Sequence, residues 1–106
     1  MHPDIVKLLK YMDEAIELLQ SVTEKHWSTW LAYNAALIEK SDFRGIEHLL
    51  SAFGGMGSIN DLVIHPINGH EVKDFAIDKI NRKLQKILGE IWLLAKQLYN
   101  DELQAK

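Results

Sequence analysis

The chain has 106 residues, of which 47% are apolar and 25% are charged, with a net charge of −3 and no cysteine. Chains of this length seldom divide into two cores, so residues 1–106 are expected to form one domain. The lack of cysteine excludes a disulfide scaffold and thiolate metal sites. No apolar run approaches the ~20 residues of a membrane span, and the first residues lack the pattern of a secretory signal, so we expect a cytoplasmic protein without a membrane partner.

The negative charge lies in the first half of the chain. Residues 1–53 carry 5 basic and 8 acidic side chains, whereas residues 54–106 carry 7 of each. Proteins that bind polyanions draw affinity from a basic surface, so this balance argues against a nucleic-acid partner.

Apolar residues at three- and four-residue steps predict a first amphipathic helix over residues 3–20, with Pro3 in its first turn. Asp13, Glu14 and Glu17 fall together on its outward side. Such a cluster is typical of a solvated face. A docking patch for a basic partner is the alternative that bears on function.

The second helix is predicted from residue 27 to residue 38, with Ser21 or Thr23 as its N-cap. It opens with Trp27-x-x-Trp30, and the spacing favours a core role for both indole rings over a ligand-binding role. Asn34 lies in the same apolar stripe, so its amide is expected to be buried and to need hydrogen-bond partners.

A short third helix is predicted to begin at Ser41 or Asp42 and to end before Gly54, where a left-handed residue terminates it. Gly45 lies inside this helix, at a cost of about 1 kcal/mol relative to alanine. A close helix crossing at this position would explain the glycine.

A long last helix follows an irregular region. Residues 62–65 and 70–73 flank turn residues and predict either a short hairpin or an irregular loop. Asp74 is the predicted cap of the last helix, which continues to about Tyr99. The fold class is therefore all-α or nearly so: a four-helix, bundle-like domain whose last helix packs on the tryptophan-rich second helix.

The glycine-rich segment Gly54–Asp61 is the least ordinary part of the sequence. Gly54, Gly55 and Gly57 allow positive φ angles and close approach of a ligand or another backbone. The segment lacks the Lys-Ser/Thr pair of a phosphate-binding loop and follows a predicted helix rather than a strand. Binding of a nucleotide or another small ligand therefore remains an alternative.

A structural interpretation of this glycine-rich loop is favoured. Ser58, Asn60 and Asp61 have short polar side chains that bond readily to nearby backbone groups, and they would tie the loop to itself and to helix ends. We expect Asn34 to be a buried partner of the loop.

His65 and His70 face each other across the predicted turn, with Asp61 and Glu71 nearby, and suggest a metal site. A zinc site needs three or four converging ligands, and the sequence has no His-Glu-x-x-His helix and no cysteine. We therefore predict no metal and no other cofactor, and interpret these histidines as surface or turn residues. A small metal-dependent hydrolase built on these four side chains remains an alternative, and no catalytic residue is assigned.

The segment Gly-Gly-Met-Gly-Ser-Ile-Asn-Asp-Leu-Val-Ile, residues 54–64, resembles the signature of a family of small bacterial proteins known only as a domain of unknown function. The preceding Leu49-Leu50-Ser51-Ala52-Phe53 and the upstream Trp27-x-x-Trp30 are also similar to that family. This resemblance covers roughly residues 25–65 and implies a fold rather than an activity.

In size, helical content and acidic balance the chain also resembles immunity proteins, which neutralise toxins delivered between competing bacteria. This likeness implies a cytoplasmic protein that binds a cognate toxin, such as a nuclease with a cationic cleft. Two surfaces are expected to carry the binding: the first is formed by Asp13, Glu14, Glu17 and Glu24, the second by Asn60, Asp61 and His65. The sequence does not define the oligomeric state.

Overall fold

The computed structural model describes residues 2–54 and 57–105, and within these ranges it contains four α-helices and no β-strand. The helices are α1 (Pro3–Ser21), α2 (Lys25–Glu39), α3 (Arg44–Ser51) and α4 (Ile77–Ala105). Three short 3-10 turns at Ile59–Asp61, Pro66–Asn68 and Asp74–Ala76 lie in the connection between α3 and α4. The predicted all-α class is confirmed. No helix in the described ranges is both long enough and apolar enough to cross a membrane.

Each helix packs against two others. Helix α1 packs against α2 and α4, and α3 packs against the same two helices. Helices α2 and α4 share no comparable interface, so the prediction that the last helix packs on the second is wrong. The short connection between α1 and α2 makes these two helices antiparallel neighbours, whereas the long connection after α3 lets α4 return to the other side of α1.

All four helices contribute to a single apolar core. Its fully buried side chains come from every helix and from the connection before α4: Leu8, Met12, Leu19, Leu31, Leu49, Ile59, Ile64, Leu84, Leu88 and Ile91. Burying a side chain of this size stabilises a fold by roughly 1.5–3 kcal/mol. The core therefore depends on α1 and α4 as much as on the two shorter helices between them.

The N-cap of α2 differs from the prediction. Glu24, not Ser21 or Thr23, caps the helix, because its Oε2 atom accepts a hydrogen bond of 3.0 Å from the Trp27 N–H. Ser21 is the last residue of α1, and Thr23 occupies the connection with a φ of 60°. Serine and threonine are the more common caps, so residue type alone favours the wrong position here.

Gly45 marks a close crossing between α3 and α2, as predicted. A Cβ atom at this position would lie 2.9 Å from Ile38 Cγ1, 3.0 Å from Leu37 Cβ and 3.2 Å from the Asn34 carbonyl oxygen. Alanine cannot occupy this position unless the two helices move apart. Gly54 follows α3 with a φ of 83°, which confirms the predicted left-handed termination.

The segment from residue 62 to residue 73 forms an irregular loop and not a hairpin. Ile64 pairs with the Asn81 side chain of α4: the Ile64 N–H donates to Asn81 Oδ1 at 2.7 Å, and Asn81 Nδ2 donates to the Ile64 carbonyl at 2.9 Å. The Glu71 N–H donates to the Val22 carbonyl at 3.0 Å. Because these backbone groups bond to a side chain and to the α1–α2 connection, no strand ladder forms between residues 62–65 and 70–73.

Candidate functional site

A row of aromatic rings follows one side of α2 and continues onto α3. His26 and Trp27 meet edge to face with their ring centroids 4.9 Å apart, and Trp27 meets Trp30 in the same way at 5.5 Å. Trp30 then lies 4.8 Å from the ring of His48, tilted by 45°. These four rings, with Tyr33 one turn beyond Trp30, are called the aromatic–histidine face below.

The aromatic–histidine face is accessible to solvent. Tyr33 is 62% exposed, and Lys25, His26, Thr29, Trp30 and Tyr33 line a groove of about 520 Å³. Trp27 and Trp30 are half-buried and pack against the core. The predicted core role therefore describes part of each tryptophan, while Trp30 also forms part of the groove.

Asn34 lies beneath this face and bonds to two of its residues. Its side chain is fully buried, as predicted, and its Nδ2 donates to the Trp30 carbonyl at 2.9 Å. Its Oδ1 lies 2.8 Å from His48 Nδ1. Among the described residues, the Asn34 side chain bonds to α2 and α3 and not to the glycine-rich loop, so the expectation that Asn34 is a partner of the loop is wrong for this part of the chain.

These contacts assign the tautomer of His48. With Nδ2 of Asn34 donating to the Trp30 carbonyl, the Asn34 Oδ1 is an acceptor, so His48 Nδ1 carries the proton that it donates. His48 itself is exposed, so the face presents an oriented imidazole ring beside the Trp30 ring.

A contact between His70 and Glu24 connects the end of the irregular loop to the start of α2. His70 Nε2 lies 3.0 Å from Glu24 Oε1, and His70 Nδ1 accepts a hydrogen bond of 3.1 Å from the His65 N–H. Because Nδ1 accepts, the proton of the neutral ring lies on Nε2 and is donated to Glu24. The side chains are only 3% and 14% exposed, respectively, so this pair is an internal contact.

The surroundings of Glu24 lower its pKa below the ordinary value of 4.5. Burial raises the pKa, but this effect is outweighed by the hydrogen bond from the Trp27 N–H, the hydrogen bond from His70 and the electrostatic influence of the nearby His70 and His26 rings. All of these stabilise the ionised carboxylate. Glu24 therefore stays charged as the cap of α2.

The first predicted binding patch is altered by the structure. Asp13, Glu14 and Glu17 are exposed on α1, as expected, but Glu24 is removed from this patch by its internal contacts with Trp27 and His70. Across the adjoining groove between α1 and α4, the lining includes Lys83, Lys86 and Glu90 beside Glu14 and Glu17. The two lysines offset part of the negative charge of the patch.

The second predicted patch lies on the glycine-rich loop, where Asn60 and Asp61 are exposed but bonded within the loop. The Gly54 N–H donates to Asn60 Oδ1 at 3.1 Å, and the Gly57 N–H donates to Asp61 Oδ2 at 3.2 Å. Ser58 Oγ also donates to Asn60 Oδ1, at 2.6 Å. The structural interpretation of Ser58, Asn60 and Asp61 is confirmed, and two of the amides that would bind a phosphate already have acceptors.

Two further predictions concern residues near this loop. Gly55 lies outside the described residues. His65 is exposed, and its Nδ1 accepts a hydrogen bond of 3.1 Å from the Ile67 N–H, so it forms the start of a turn. His70 accepts a hydrogen bond from the His65 N–H and contacts Glu24 with its other ring nitrogen, so it is buried and the interpretation of this histidine as a surface residue is wrong.

The proposed metal ligands do not converge. Within residues 2–54 and 57–105, no group of three or more histidine, aspartate or glutamate side chains is placed to hold a metal ion. The hypothesis of a hydrolase on Asp61, His65, His70 and Glu71 therefore has no ligand set in this part of the chain.

Sequence reasoning missed the aromatic–histidine face. His26, Tyr33 and His48 were not candidate binding residues, and the contacts that organise the site join residues 14 and 46 positions apart. The tryptophan spacing and the burial of Asn34 were the available signals. Neither identifies His48 or His70 as a partner, because such pairing depends on how the helices pack.

A comparison with protein families matches residues 20–73, about half of the chain, to a family described as a domain of unknown function, DUF6966. The chain belongs to the DUF6966 family. This confirms the expected membership of a family of unknown function. The part matched by the DUF6966 model contains the whole aromatic–histidine face and both members of the Glu24–His70 pair, whereas α4 lies outside it. No curated protein and no solved structure matches the chain.

Proposed function

We propose that this DUF6966 protein acts by binding another protein through the aromatic–histidine face. The supporting observation is the continuous row from His26 to His48, with Trp30 and Tyr33 open to solvent beside it. Tryptophan and tyrosine are enriched among the residues that carry most of the binding energy at protein interfaces. All five side chains also lie within the segment matched by the family.

The face is organised before a partner arrives. Asn34 fixes the His48 ring, and the contacts between neighbouring rings restrict the rotamers of Trp27 and Trp30. Immobilising a flexible side chain on binding costs about 0.5–1.5 kcal/mol. A face that is already ordered avoids much of this cost, so a modest contact area gives useful affinity.

The specific form of this proposal is a cytoplasmic immunity protein that binds and neutralises a cognate toxin. Such a protein needs a stable scaffold and a complementary surface, which the four helices and the aromatic–histidine face supply. The exposed Asp13, Glu14 and Glu17 would assist the approach of a basic toxin, such as a nuclease. The surface formed by Asn60, Asp61 and His65 is a second contact to test.

The experiment uses, as the candidate toxin, the purified product of the gene adjacent to the gene for this protein. Binding is measured by calorimetry with the unmodified chain and with Tyr33→Ala, because Tyr33 is 62% exposed and its loss should leave the fold intact. We expect Tyr33→Ala to weaken binding by about tenfold or more, the effect of removing an interface anchor. Survival of cells that express the toxin should fall in parallel.

Trp92→Ala provides the matched control. Trp92 is a 40% exposed aromatic residue on α4, outside the matched family segment and in a different groove. Its replacement should leave affinity within about twofold of the unmodified chain. Equal losses for both variants, or no binding by the unmodified chain to that toxin, would refute the proposal in its specific form.

A further inference from the structure

Two histidine side chains hold the turn of residues 65–70 through the same ring atom. His65 Nδ1 accepts a hydrogen bond of 3.1 Å from the Ile67 N–H, and His70 Nδ1 accepts one of 3.1 Å from the His65 N–H. A backbone N–H can only donate, so each Nδ1 must be unprotonated for its contact to form. The turn as described therefore requires both rings to be neutral.

The turn lies between two points of attachment to the rest of the fold. On its amino side, the Ile64 N–H donates to Asn81 Oδ1 of α4 at 2.7 Å. On its carboxyl side, the Glu71 N–H donates to the Val22 carbonyl at 3.0 Å. Neither contact involves an ionisable group, so a change of pH near neutrality leaves both intact. Residues 65–69 between them are all exposed, so they can move without opening the core.

A second proton on either ring breaks the contact of that ring with the backbone. On His70 the proton goes to Nδ1, because Nε2 already carries the proton that is donated to Glu24. Two donors then face each other where the His65 N–H was bound, and the turn must open. The His65 ring responds in the same way toward the Ile67 N–H. Histidine is the side chain that changes its charge between about pH 5 and pH 8.

The carboxylate of Glu24 does not cancel this effect. Glu24 Oε1 lies 3.0 Å from His70 Nε2 and favours the protonated ring, but it does so whether the turn is closed or open. The two states differ in the contact between His70 Nδ1 and the His65 N–H. The open turn therefore binds the proton more tightly, and acid shifts the equilibrium toward it.

The other groups around the two rings do not reverse this sign. The pKa of Glu24 lies below its ordinary value of 4.5, so Glu24 stays ionised while the histidines titrate. From α2, His26 acts electrostatically on Glu24 and lies outside the turn. The groups that attach the loop from the other side, Val22 and Asn81, are uncharged. Glu71 is exposed and keeps its backbone contact in both states.

We propose that residues 65–70 form an acid-sensitive turn, which is closed when His65 and His70 are neutral and opens when either ring is protonated. The closed turn holds Ile67, which is 84% exposed, in a defined position on the surface. In mild acid this position is lost while the helices keep their packing. His65 also belongs to the second contact proposed for a toxin, so opening the turn changes that surface. The turn lies outside the aromatic–histidine face and does not depend on its function.

Amide hydrogen exchange, measured by NMR on the full chain at about pH 7.5 and about pH 5.5, tests the turn directly. Each rate is compared with that of an unstructured peptide at the same pH to give a protection factor. We expect the factors of the His65 and Ile67 amides to fall by about tenfold or more, since one proton taken up on opening changes the equilibrium by up to about tenfold per pH unit. The Ile64 and Glu71 amides should keep their protection.

His65→Asn removes one titrating group and preserves the acceptor. Asparagine places its Oδ1 near the position of Nδ1 and is a common cap, but it does not titrate. The fall in protection at the Ile67 amide should be several-fold smaller in this variant, because opening takes up one proton fewer. His2→Asn is the matched control, since His2 Nδ1 also accepts a backbone N–H, from Asp4 at 3.0 Å. It should leave the response of the turn unchanged.

The imidazole nitrogen chemical shifts supply an independent test, because they report which ring atom carries the proton. At neutral pH both rings should be protonated at Nε2 and not at Nδ1. The proposal is overturned if either ring carries its proton on Nδ1 at neutral pH, or if the His65 and Ile67 amides keep their protection in acid. Equal losses at Ile64 and Glu71, or a full fall in His65→Asn, would also overturn it. No toxin enters these measurements, so their failure leaves the proposed binding function standing.

Discussion

Asn34 is a buried amide whose Nδ2 bonds within α2 and whose Oδ1 bonds to α3. Its removal therefore breaks one hydrogen bond within a helix and one between two helices. Asn34→Ala leaves the Trp30 carbonyl without this side-chain donor and His48 Nδ1 without its acceptor. We expect the free energy of unfolding to fall by about 1–3 kcal/mol in urea denaturation. His48→Ala should have a smaller effect, because His48 is exposed.

A double-mutant cycle between these two residues supplies the control. If the contact is as described, the losses from Asn34→Ala and His48→Ala are not additive and differ from their sum by about 0.5 kcal/mol or more. Additive losses would show that the two side chains act independently, which contradicts the observed geometry.

Glu24 gives the stability a defined dependence on pH. Its pKa in the folded protein lies below the ordinary value of 4.5, so the unfolded chain takes up a proton first as the pH falls. The stabilisation is therefore fully present above about pH 4.5 and is lost as the pH falls through the lower, folded-state pKa. We expect this loss in urea denaturation curves measured from neutral to acidic pH.

Glu24→Gln tests the assignment of that acid dependence. The variant retains an oxygen acceptor for the Trp27 N–H but has no carboxylate, so it should be less stable at neutral pH and lose less stability on acidification. Glu17→Gln is the control, since Glu17 is an exposed acid on α1. If Glu24→Gln keeps the full acid dependence, the stabilising carboxylate lies elsewhere.

At the scale of single residues, the sequence predicts which side chains are buried better than it predicts their hydrogen-bond partners. The apolar stripe of α2 correctly indicates that Asn34 is buried, because helical periodicity determines which face turns inward. It does not identify His48 as the partner, since that contact depends on where α3 crosses α2. The pairing of Glu24 with His70 is missed for the same reason, because the two residues meet only once the irregular loop packs against the start of α2.

At the scale of the helices, the glycines of α3 and α4 form a matched pair for testing the close crossing. Gly45→Ala should lower the free energy of unfolding by about 1–2 kcal/mol, because overpacking outweighs the better helix propensity of alanine. Gly89→Ala should raise it by about 0.5–1 kcal/mol, because no atom lies within 4 Å of the added Cβ. Thermal and urea denaturation measure both changes.

Opposite signs for these two substitutions are the decisive result. If Gly45→Ala is also stabilising, α2 and α3 are not held as close as the contacts with Leu37 and Ile38 require. If Gly89→Ala is destabilising, something other than helix propensity determines the glycine in α4.

The sequence predicts that the four helices exist, but it predicts less well how they pack against one another. The spacing of apolar residues predicts all four helices, and Gly45 and Gly54 are interpreted correctly because steric limits on the backbone are local. The partner of α4 is predicted wrongly, since α1 and α2 both have apolar faces that it could cover. The sequence does not decide between an irregular loop and a hairpin for residues 62–73. The residue that decides it is Asn81, which bonds Ile64 in place of a partner strand and lies 17 residues further on.

At the scale of the whole molecule, the segment matched by the family does not contain a complete core. Residues 20–73 lack the buried side chains Leu8, Met12, Leu84, Leu88 and Ile91. We expect a peptide of residues 20–73 to show little helical circular dichroism and no cooperative unfolding, whereas the full chain shows both. A cooperatively unfolding peptide would show that α1 and α4 are dispensable for the fold.

The surface charge of the proposed binding patch illustrates the same limit at this scale. The count of acidic residues directs attention to Asp13, Glu14 and Glu17, but packing brings Lys83 and Lys86 to the same groove. Net charge is a property of the sequence, whereas local potential depends on which helices become neighbours. The aromatic–histidine face likewise exists only once α3 lies against α2.

The contact between Glu24 and His70 closes a ring of chain, since 46 positions separate the two residues. Closing a flexible segment of this length costs on the order of 3 kcal/mol in entropy, which the core within the ring must offset. During synthesis, a nascent chain that ends before His70 has no partner for this carboxylate oxygen. The contact between Glu24 and His70 can therefore form only after His70, near the end of the segment matched by the family, has left the ribosome.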